Sequence, residues 1–236
     1  MHAVGVVAEE RSLPPVESTT SFFREPSAIK TIVEGLAPRI GPQVTVASVG
    51  CSTGEEVYSL LFYANTNGWG DNFRVDGFDY TQDRIERGVA GIYEKRHYYA
   101  EDFTDEAIRH MLEEGGVSIS DSKFEVAEDV KKRASFDRWD ITQGPLPKRY
   151  PIIMCANVLY HYLDYARGRK PLAGAILRNV ADSLMPGGFL VGEARREGGR
   201  YEQALFEQKV FKETPEFALP YISKEGASVA LVLQAA

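Results

Sequence analysis

The sequence contains few of the residues that form disulfide frameworks and metal centres. It has two cysteines, Cys51 and Cys155, and four histidines in 236 residues. The cysteines lie in or beside apolar runs, so we expect free, buried thiols in a reducing compartment. The sequence has no Cys-x-x-Cys pair and no cluster of histidine and cysteine, and no metal site is therefore expected.

Long hydrophobic runs and an excess of positive charge are also missing. No apolar run approaches the roughly 20 residues that span a bilayer, and AVGVVA at residues 3–8 is too short for the apolar part of a signal peptide. The net charge of −7 argues against a nucleic-acid surface, which needs a basic footprint. We therefore expect a cytoplasmic protein without a membrane or nucleic-acid partner, and the sequence leaves its oligomeric state open.

The length and composition are those of a folded domain. A hydrophobic fraction of 44% and a charged fraction of 26% are ordinary for a globular protein and supply enough apolar surface for a core. Residues 1–18 include two prolines, and we interpret them as an extended lead-in. We expect residues 19–236 to form a single domain that carries a small candidate β-insertion at about 117–139.

Strand and helix patterns alternate along the chain. Apolar, β-branched segments predict buried strands at VTVASVGC (44–51), FRVDGFDY (73–80), YPIIMCANVLY (150–160), GFLVGEA (188–194) and ASVALVLQA (227–235). Helical patterns lie between Pro26 and Pro38, after Gly54, at 81–90, at 105–114, and before the stop signal at 186–188. This alternation predicts a doubly wound α/β fold, with a mostly parallel sheet and helices on both faces. Such sheets bind ligands at the carboxyl ends of their strands.

The segment Gly50-Cys51-Ser52-Thr53-Gly54 after the first strand admits two interpretations. It matches G-x-S-x-G, the turn that presents a serine nucleophile in α/β-hydrolases, but an HGGG-type oxyanion segment is absent. It also resembles a glycine-bounded turn whose amides cradle a cofactor at a helix N-terminus. The second strand ends in Asp79, about where an acidic residue meets ribose hydroxyls. The sequence therefore favours an adenosine-bearing cofactor, with Asp79 as a helix N-cap as the alternative.

Five segments together resemble the chemotaxis receptor methyltransferase family. They are TTSFFREPSAIKTI (19–32), GCSTGEEVYSL (50–60), DYTQDRIERGVAGIY (79–93), MCANVLYHY (154–162) and LMPGGFLVGEA (184–194). The resemblance implies a Rossmann-like class I methyltransferase fold with a seven-stranded sheet. It also implies an enzyme of the kind that moves a methyl group from S-adenosyl-L-methionine to receptor glutamates.

The resemblance assigns cofactor contacts to positions that match the family's motifs. These positions are Thr20, Arg24, Gly50, Cys51, Ser52, Glu56, Asp79, Asp140, Ile141 and Asn157. Glu56 would bind the ammonium of the methionine part, Asp79 the ribose hydroxyls, and Asn157 would border the sulfonium. Asp140 and Ile141 would lie beside the adenine. A carboxylate suits an ammonium, although Glu56 could instead complement the helix dipole and Asp140 could be a solvated turn residue.

The sequence departs from the family pattern near the acceptor. Only a short lead-in precedes Ser21, where the family has a helical domain. The family's strand reads C-R-N-V, two apolar residues and tyrosine, whereas here Ala156 stands in place of the arginine and His161 in place of the tyrosine. We therefore take Arg24, Tyr160, His161 and Tyr162 as the candidate catalytic residues, with His161 as a candidate base.

These departures favour a small-molecule acceptor, methylated on oxygen or nitrogen. A carboxylate is already nucleophilic, whereas a hydroxyl or a ring nitrogen often needs a general base such as His161. The first alternative is a protein-glutamate carboxyl methyltransferase of the chemotaxis type, in which Arg24 holds the carboxylate by two hydrogen bonds. The second alternative is a non-catalytic module that retains the cofactor pocket.

Overall fold

Two sheets organise the part of the chain that the computed structural model describes, which is residues 20–94, 113–114, 116–119, 123–156, 158, 170–195, 221–225 and 228–235. The large sheet has seven strands. In spatial order they are β6 (Ala134–Arg138), β2 (Phe73–Asp79), β1 (Val44–Val49), β7 (Tyr150–Met154), β8 (Leu184–Arg195), β10 (Ser228–Gln234) and β9 (Tyr221–Glu225). The small sheet has the order β3 (Ile92–Glu94), β5 (Lys123–Val126) and β4 (Val117–Ile119).

The first five strands of the large sheet, from β6 to β8, pair in parallel, and β10 and β9 add two antiparallel pairings at one edge. Alternate residues of β1 enter different cores, with Val46 on one face and Ala47 on the other. Both faces are therefore covered, as a parallel sheet requires. The expected mostly parallel, doubly wound α/β fold is confirmed.

The helices flank this sheet. They are α1 (Pro26–Lys30), a π-helical turn (Thr31–Leu36), α2 (Ala37–Ile40), α3 (Glu55–Thr66), α4 (Gln82–Ala90), α5 (Glu128–Lys131) and α6 (Lys170–Asp182), with a short 3₁₀ turn at Gly70–Asn72. Pro26 lies in the first turn of α1, where its missing N–H is not needed. Pro38 does not end the helical run, because the wider π turn comes before it and the proline occupies the first turn of α2.

Several boundaries differ from the sequence prediction. The strand expected at 150–160 ends at Met154, and the segment after Val126 turns into α5, with Glu128 and Asp129 in its first turn. Acidic residues in a first turn complement the helix dipole. This preference is not part of the alternating pattern that suggested a β-insertion at about 117–139. The short strands β3 and β9 carry too little periodicity to be recognised. The helix expected at 105–114 lies largely outside the described residues, and the domain boundaries and the β-insertion stay predictions.

An aromatic cluster joins the small sheet to the rest of the molecule. The ring of Phe22 lies 4.8 Å from that of Tyr93 and 4.8 Å from that of Phe124, and the Tyr93 and Phe124 rings stack at 5.4 Å. All three side chains are buried. Edge and stacked aromatic pairs at these distances stabilise a packing arrangement beyond the area they bury, so the small sheet has a fixed position beside α3.

Replacing Ile152 with alanine should test the central position of β7. Ile152 is fully buried in the core, so the substitution should lower the free energy of unfolding by about 2–5 kcal/mol. Ile92→Ala is the matched control, because Ile92 is 51% exposed and its loss should change stability by less than about 0.5 kcal/mol. Denaturant unfolding measures both, and equal effects would contradict the assigned core.

Candidate functional site

A cavity opens where the neighbouring strands β1, β2 and β7 end, beside the N-terminus of α3. The chain leaves β1 toward β2 on one side and later returns to place β7 on the other side. This reversal of strand order is the position at which open α/β sheets bind ligands. The cavity therefore lies where the fold predicts a site.

The cavity brings together nine of the ten residues predicted to contact a cofactor. Those nine are Thr20, Arg24, Gly50, Cys51, Ser52, Glu56, Asp79, Asp140 and Ile141. Asn157, and the candidate catalytic residues Tyr160, His161 and Tyr162, lie outside the described residues. The structure thus places the predicted positions around one space, and their individual roles stay predictions.

The glycine loop, residues 50–54, connects β1 to α3 and is fixed to β2. The amides of Gly50 and Cys51 both donate to the carbonyl oxygen of Phe78, at 2.7 and 3.1 Å. Gly50 has a φ of 75°, and a Cβ at this position would overlap Cγ2 of Val158. Only glycine satisfies both the left-handed backbone and the close approach, which accounts for the first glycine of the loop.

Asp79 ties the glycine loop to the start of α4. Its Oδ2 accepts a hydrogen bond from the Ser52 amide at 3.0 Å, and its Oδ1 accepts one from the Thr81 amide at 2.9 Å. A guanidinium nitrogen of Arg84 lies 3.8 Å from Oδ1. Thr81 itself occupies the N-cap of α4, so Asp79 is not the helix N-cap. A carboxylate has about four acceptor positions, which leaves capacity for a ligand hydroxyl.

Glu56 enters the cavity from the first turn of α3. The Ser48 hydroxyl donates to its Oε1 at 2.6 Å. Burial raises the pKa of the Glu56 carboxyl to about 8, and the Glu25 carboxylate acts in the same direction, while the Ser48 hydrogen bond and Arg24 oppose them. The group therefore holds a proton near neutral pH and would give it up to a bound cation.

The neighbouring Glu55 has a separate function in the fold. Its carboxylate accepts a hydrogen bond from the Thr53 hydroxyl at 2.6 Å, and it is not among the residues that line the cavity. Burial raises its pKa, and the Thr53 hydrogen bond opposes the shift. Of the two successive acidic residues at the N-terminus of α3, Glu55 bonds to the loop and Glu56 lines the cavity. Complementing the helix dipole is therefore not the whole role of Glu56.

Arg24 and Glu25 lie next to each other on the cavity wall. The Arg24 Nε is 3.7 Å from the Glu25 Oε1, and Glu25 is 2% exposed whereas Arg24 is 20% exposed. The preceding Phe22 and Phe23 are fully buried. The amide of Phe23 donates to the Ser59 hydroxyl at 2.9 Å. The two phenylalanines therefore anchor the segment in the core and position Arg24 at the cavity.

Asp140 and Ile141 form the wall beyond β6. The Asp140 Oδ1 accepts hydrogen bonds from the amide and the hydroxyl of Thr142, at 2.9 and 2.7 Å. The Asn179 side-chain amide donates to the Ile141 carbonyl at 2.7 Å, which fixes this turn to α6. Asp140 is half-buried, so it is a turn residue with a defined position in the cavity wall.

Sequence reasoning missed several residues of the cavity wall. They include Glu25, Ser59, Arg84, Trp139 and Val158. Glu25 and Trp139 directly adjoin predicted residues, so adjacency was the available signal. Arg84 lies in the first turn of α4, and Ser59 lies one turn along α3 from Glu55. Arg84 and Ser59 reach the cavity only because their helices pack against the ends of the strands, and no local sequence pattern predicts that packing.

The residues that line the cavity fit the amino-acid end and the ribose of S-adenosylmethionine. The Glu56 carboxylate suits an ammonium, and the amides at the start of the 12-residue helix α3 suit a carboxylate. Asp79 supplies a buried acceptor for hydroxyl groups. Within the described residues, no group of three or more His, Cys, Asp or Glu side chains is arranged to hold a metal ion.

Comparison with known protein families identifies the family to which this chain is similar. The family described as "CheR methyltransferase, SAM binding domain" matches residues 18–197. The predicted resemblance, the methyltransferase class and S-adenosylmethionine as the cofactor are thereby confirmed.

Several relatives carry related names. The chain is 25% identical to the chemotaxis protein methyltransferase of Listeria innocua over 177 residues, which cover 73% of this chain and 63% of that protein. It is 28% identical to WspC of Pseudomonas aeruginosa over 189 residues, covering 74% of this chain and 41% of WspC. The chemotaxis protein methyltransferase 2 of Vibrio cholerae is 22% identical, with 87% of this chain and 70% of that protein covered. The chain thus spans less than two thirds of the length of the first two relatives.

Solved structures show the same fold. PigF with bound S-adenosylhomocysteine has a TM-score of 0.53 and 14% identity, with 88% of this chain and 54% of that chain covered. An O-methyltransferase family protein from Burkholderia thailandensis has a TM-score of 0.50 and 15% identity, with 88% and 55% covered. At these identities the likeness concerns the fold, and it agrees with the Rossmann-like class I methyltransferase fold.

The predicted small-molecule acceptor is wrong. The family match and the relatives named as chemotaxis protein methyltransferases favour the alternative, carboxyl methylation of protein glutamates. The prediction rested on the short lead-in before Ser21 and on two departures from the family pattern, Ala156 and His161. Arg24, the cation that suits a carboxylate, lines the cavity.

Among the described helices, none has both the length and the apolar character needed to cross a bilayer.

The titration of Glu56 should appear in the stability of the ligand-free protein. Its pKa of about 8 lies above its ordinary value of 4.5, so the folded state binds more protons than the unfolded state between these values. Protonated Glu56 therefore contributes fully to the free energy of unfolding below pH 4.5, and this contribution is lost as the pH rises through 8. Glu56→Gln should remove this part of the pH dependence, measured by denaturant unfolding from pH 5 to 9. Identical slopes for both proteins would contradict the assignment.

Proposed function

Since this chain belongs to the CheR methyltransferase family, we propose that it methylates glutamate side chains of an acceptor protein, with S-adenosylmethionine as the methyl donor. The observation that carries the proposal is the position of Arg24 on the wall of the predicted cofactor cavity. A guanidinium holds a carboxylate through two parallel hydrogen bonds. The names of the chemotaxis protein methyltransferases that this chain resembles support the same acceptor class.

The binding roles follow from the groups that line the cavity. Glu56 binds the ammonium of the cofactor, and the N-terminus of α3 offers backbone amides to the cofactor carboxylate. Asp79 accepts from the ribose hydroxyls, and Asp140 and Ile141 border the adenine. When bound, the cofactor supplies an electrophilic methyl group on a sulfonium sulfur. The protein contributes alignment and exclusion of water, which are the main requirements of an in-line displacement.

Arg24 and Glu25 orient the acceptor. Methylation of a carboxylate forms an oxygen–carbon bond while the sulfur–methyl bond of the sulfonium breaks and leaves a neutral thioether. No proton is released, so the site needs no general base. Arg24 fixes the acceptor carboxylate, and Glu25, 3.7 Å from the Arg24 Nε, limits the orientations open to the guanidinium. His161 then has no proton to abstract. Contributions from Asn157, Tyr160 and Tyr162, and the cytoplasmic location, stay predictions from the sequence.

The acceptor chemistry is testable by the stability of the product. The protein should transfer radiolabelled methyl groups to a chemoreceptor signalling fragment, and alkali should release the label as methanol because the product is an ester. A fragment with glutamine at its methylated glutamates is the acceptor control and should take up no label. Label that resists alkali, or label on the glutamine fragment, would contradict glutamate methylation.

Arg24→Lys tests the bidentate contact. Lysine retains the charge but not the planar pair of donors, so methyl transfer should fall by about a hundredfold, the scale of a misplaced reactant. Binding of S-adenosylhomocysteine, measured by calorimetry, should change far less than transfer. A variant that transfers methyl groups at the wild-type rate would show that Arg24 does not hold the acceptor.

Cofactor binding should depend on pH through Glu56. The free carboxyl has a pKa of about 8, and an ammonium bound to it stabilises the charged form, so binding releases a proton. Affinity for S-adenosylhomocysteine should therefore rise with pH by up to about tenfold per unit below 8. Calorimetry in buffers of different ionisation enthalpy measures the released proton. Glu56→Gln should bind weakly and without this release, and proton release that persists in the variant would assign it to another group.

A further inference from the structure

We infer that Tyr93 is a positioning residue for cofactor binding, which holds the glycine loop from the small sheet. Tyr93 lies on β3 and is 4% exposed. Its hydroxyl donates a hydrogen bond to the carbonyl oxygen of Thr53 at 2.7 Å. This inference rests on the proposed cofactor site, because the glycine loop is part of that site. Tyr93 itself is not among the residues that line the cavity, so it acts through the loop.

The glycine loop is shaped to admit this hydroxyl. Gly54 has a φ of 93°, and a Cβ there would lie 2.9 Å from the Tyr93 hydroxyl oxygen and 2.9 Å from Cε1 of Phe136. The second glycine of the loop therefore provides the space in which Tyr93 approaches. Its amide donates to the carbonyl oxygen of Cys51 at 3.0 Å, so the Tyr93 contact falls in the middle of a closed turn.

Tyr93 supplies the loop with an attachment outside the large sheet. Among the described contacts, those with β2 run through the Phe78 carbonyl and the Asp79 carboxylate. Those contacts hold residues 50–52, whereas Tyr93 holds Thr53, just before α3 begins. The amides expected to meet the cofactor carboxylate follow Thr53 directly, at the start of α3. Their positions consequently depend on the small sheet as well as on the large one.

The hydroxyl is held rigidly and remains a donor. The Tyr93 ring stacks on Phe124 at 5.4 Å and makes edge contacts with Phe22 at 4.8 Å and with Tyr58 at 6.0 Å. These contacts fix the direction in which the hydroxyl points. Burial raises the pKa of Tyr93, and the Glu55 carboxylate adds to the shift. The phenol therefore keeps its proton across the physiological range and donates to Thr53 throughout it.

One consequence is reciprocal coupling between the cofactor and the small sheet. A ligand that binds only the ordered loop stabilises every contact that orders the loop, and those contacts raise the affinity of the ligand by the same factor. The Tyr93–Thr53 hydrogen bond is the described contact that joins the loop to β3. Cofactor binding should thus protect the β3–β5 ladder, in which Tyr93 pairs with Phe124.

Tyr93→Phe, compared with Tyr58→Phe, separates positioning from stability. Tyr58 belongs to the same aromatic cluster, and its hydroxyl donates to the Gly88 carbonyl at 2.8 Å. Each variant keeps its ring and loses one buried hydrogen bond of similar length, so both should lose comparable stability. Tyr93→Phe should weaken S-adenosylhomocysteine binding about threefold to tenfold. Tyr58→Phe should bind within about twofold of the wild type.

Hydrogen exchange supplies a readout that a purely structural role would not change. Addition of S-adenosylhomocysteine should slow exchange of the β3–β5 amides in the wild type and in Tyr58→Phe, but not in Tyr93→Phe at saturating ligand. Equal affinities of the two variants, or wild-type β3–β5 exchange that is unaffected by bound ligand, would overturn the inference alone. Absence of any ligand binding to the wild type would overturn the proposed cofactor site and this inference with it.

Discussion

The carboxylate of Asp79 is the group on which the geometry of the cavity depends. It ends β2, is 3% exposed, and accepts hydrogen bonds from the Ser52 and Thr81 amides. A buried charge is tolerated only where donors surround it, so the ends of β1 and β2 and the start of α4 keep fixed separations. Ser52 has a φ of 51°, a strained backbone that persists because the Phe78 carbonyl and the Asp79 carboxylate hold the amides of residues 50–52.

The charged groups of the cavity have both signs, which suits the proposed pairing of a cationic cofactor with an anionic acceptor. Glu25, Glu56 and Asp79 line the cavity together, and the proposed ammonium and sulfonium would relieve their mutual repulsion. Arg24 lies beside Glu25 and offers the cation that a carboxylate needs. Burial and like charge raise the pKa of Glu56, so the empty cavity carries less negative charge than its composition indicates.

The errors of the sequence analysis share a cause. The small-molecule acceptor was inferred from the short lead-in, Ala156 and His161, although such departures from a family pattern do not show which neighbouring groups compensate for them. The expected strand was extended beyond Met154 because Cys155 and Ala156 are apolar. Cys155 is instead a core residue whose amide donates to the Val191 carbonyl just after β7 ends, and Ala156 lines the cavity. The expected helix stop at Pro38 overlooked that a π turn accommodates a missing amide.

The sequence by itself determined the main alternation of strands and helices, the parallel α/β class and nine positions that line the cavity, because hydrophobic periodicity, glycine and family motifs are local signals. Tertiary structure alone decided which partners those residues meet. Glu56 meets the hydroxyl of Ser48, and Tyr93 reaches Thr53 across 40 positions of the chain. Such contacts depend on strand order and on the docking of the small sheet. Strand order and docking are set when both faces of the large sheet are buried together, and no single segment of the chain determines them.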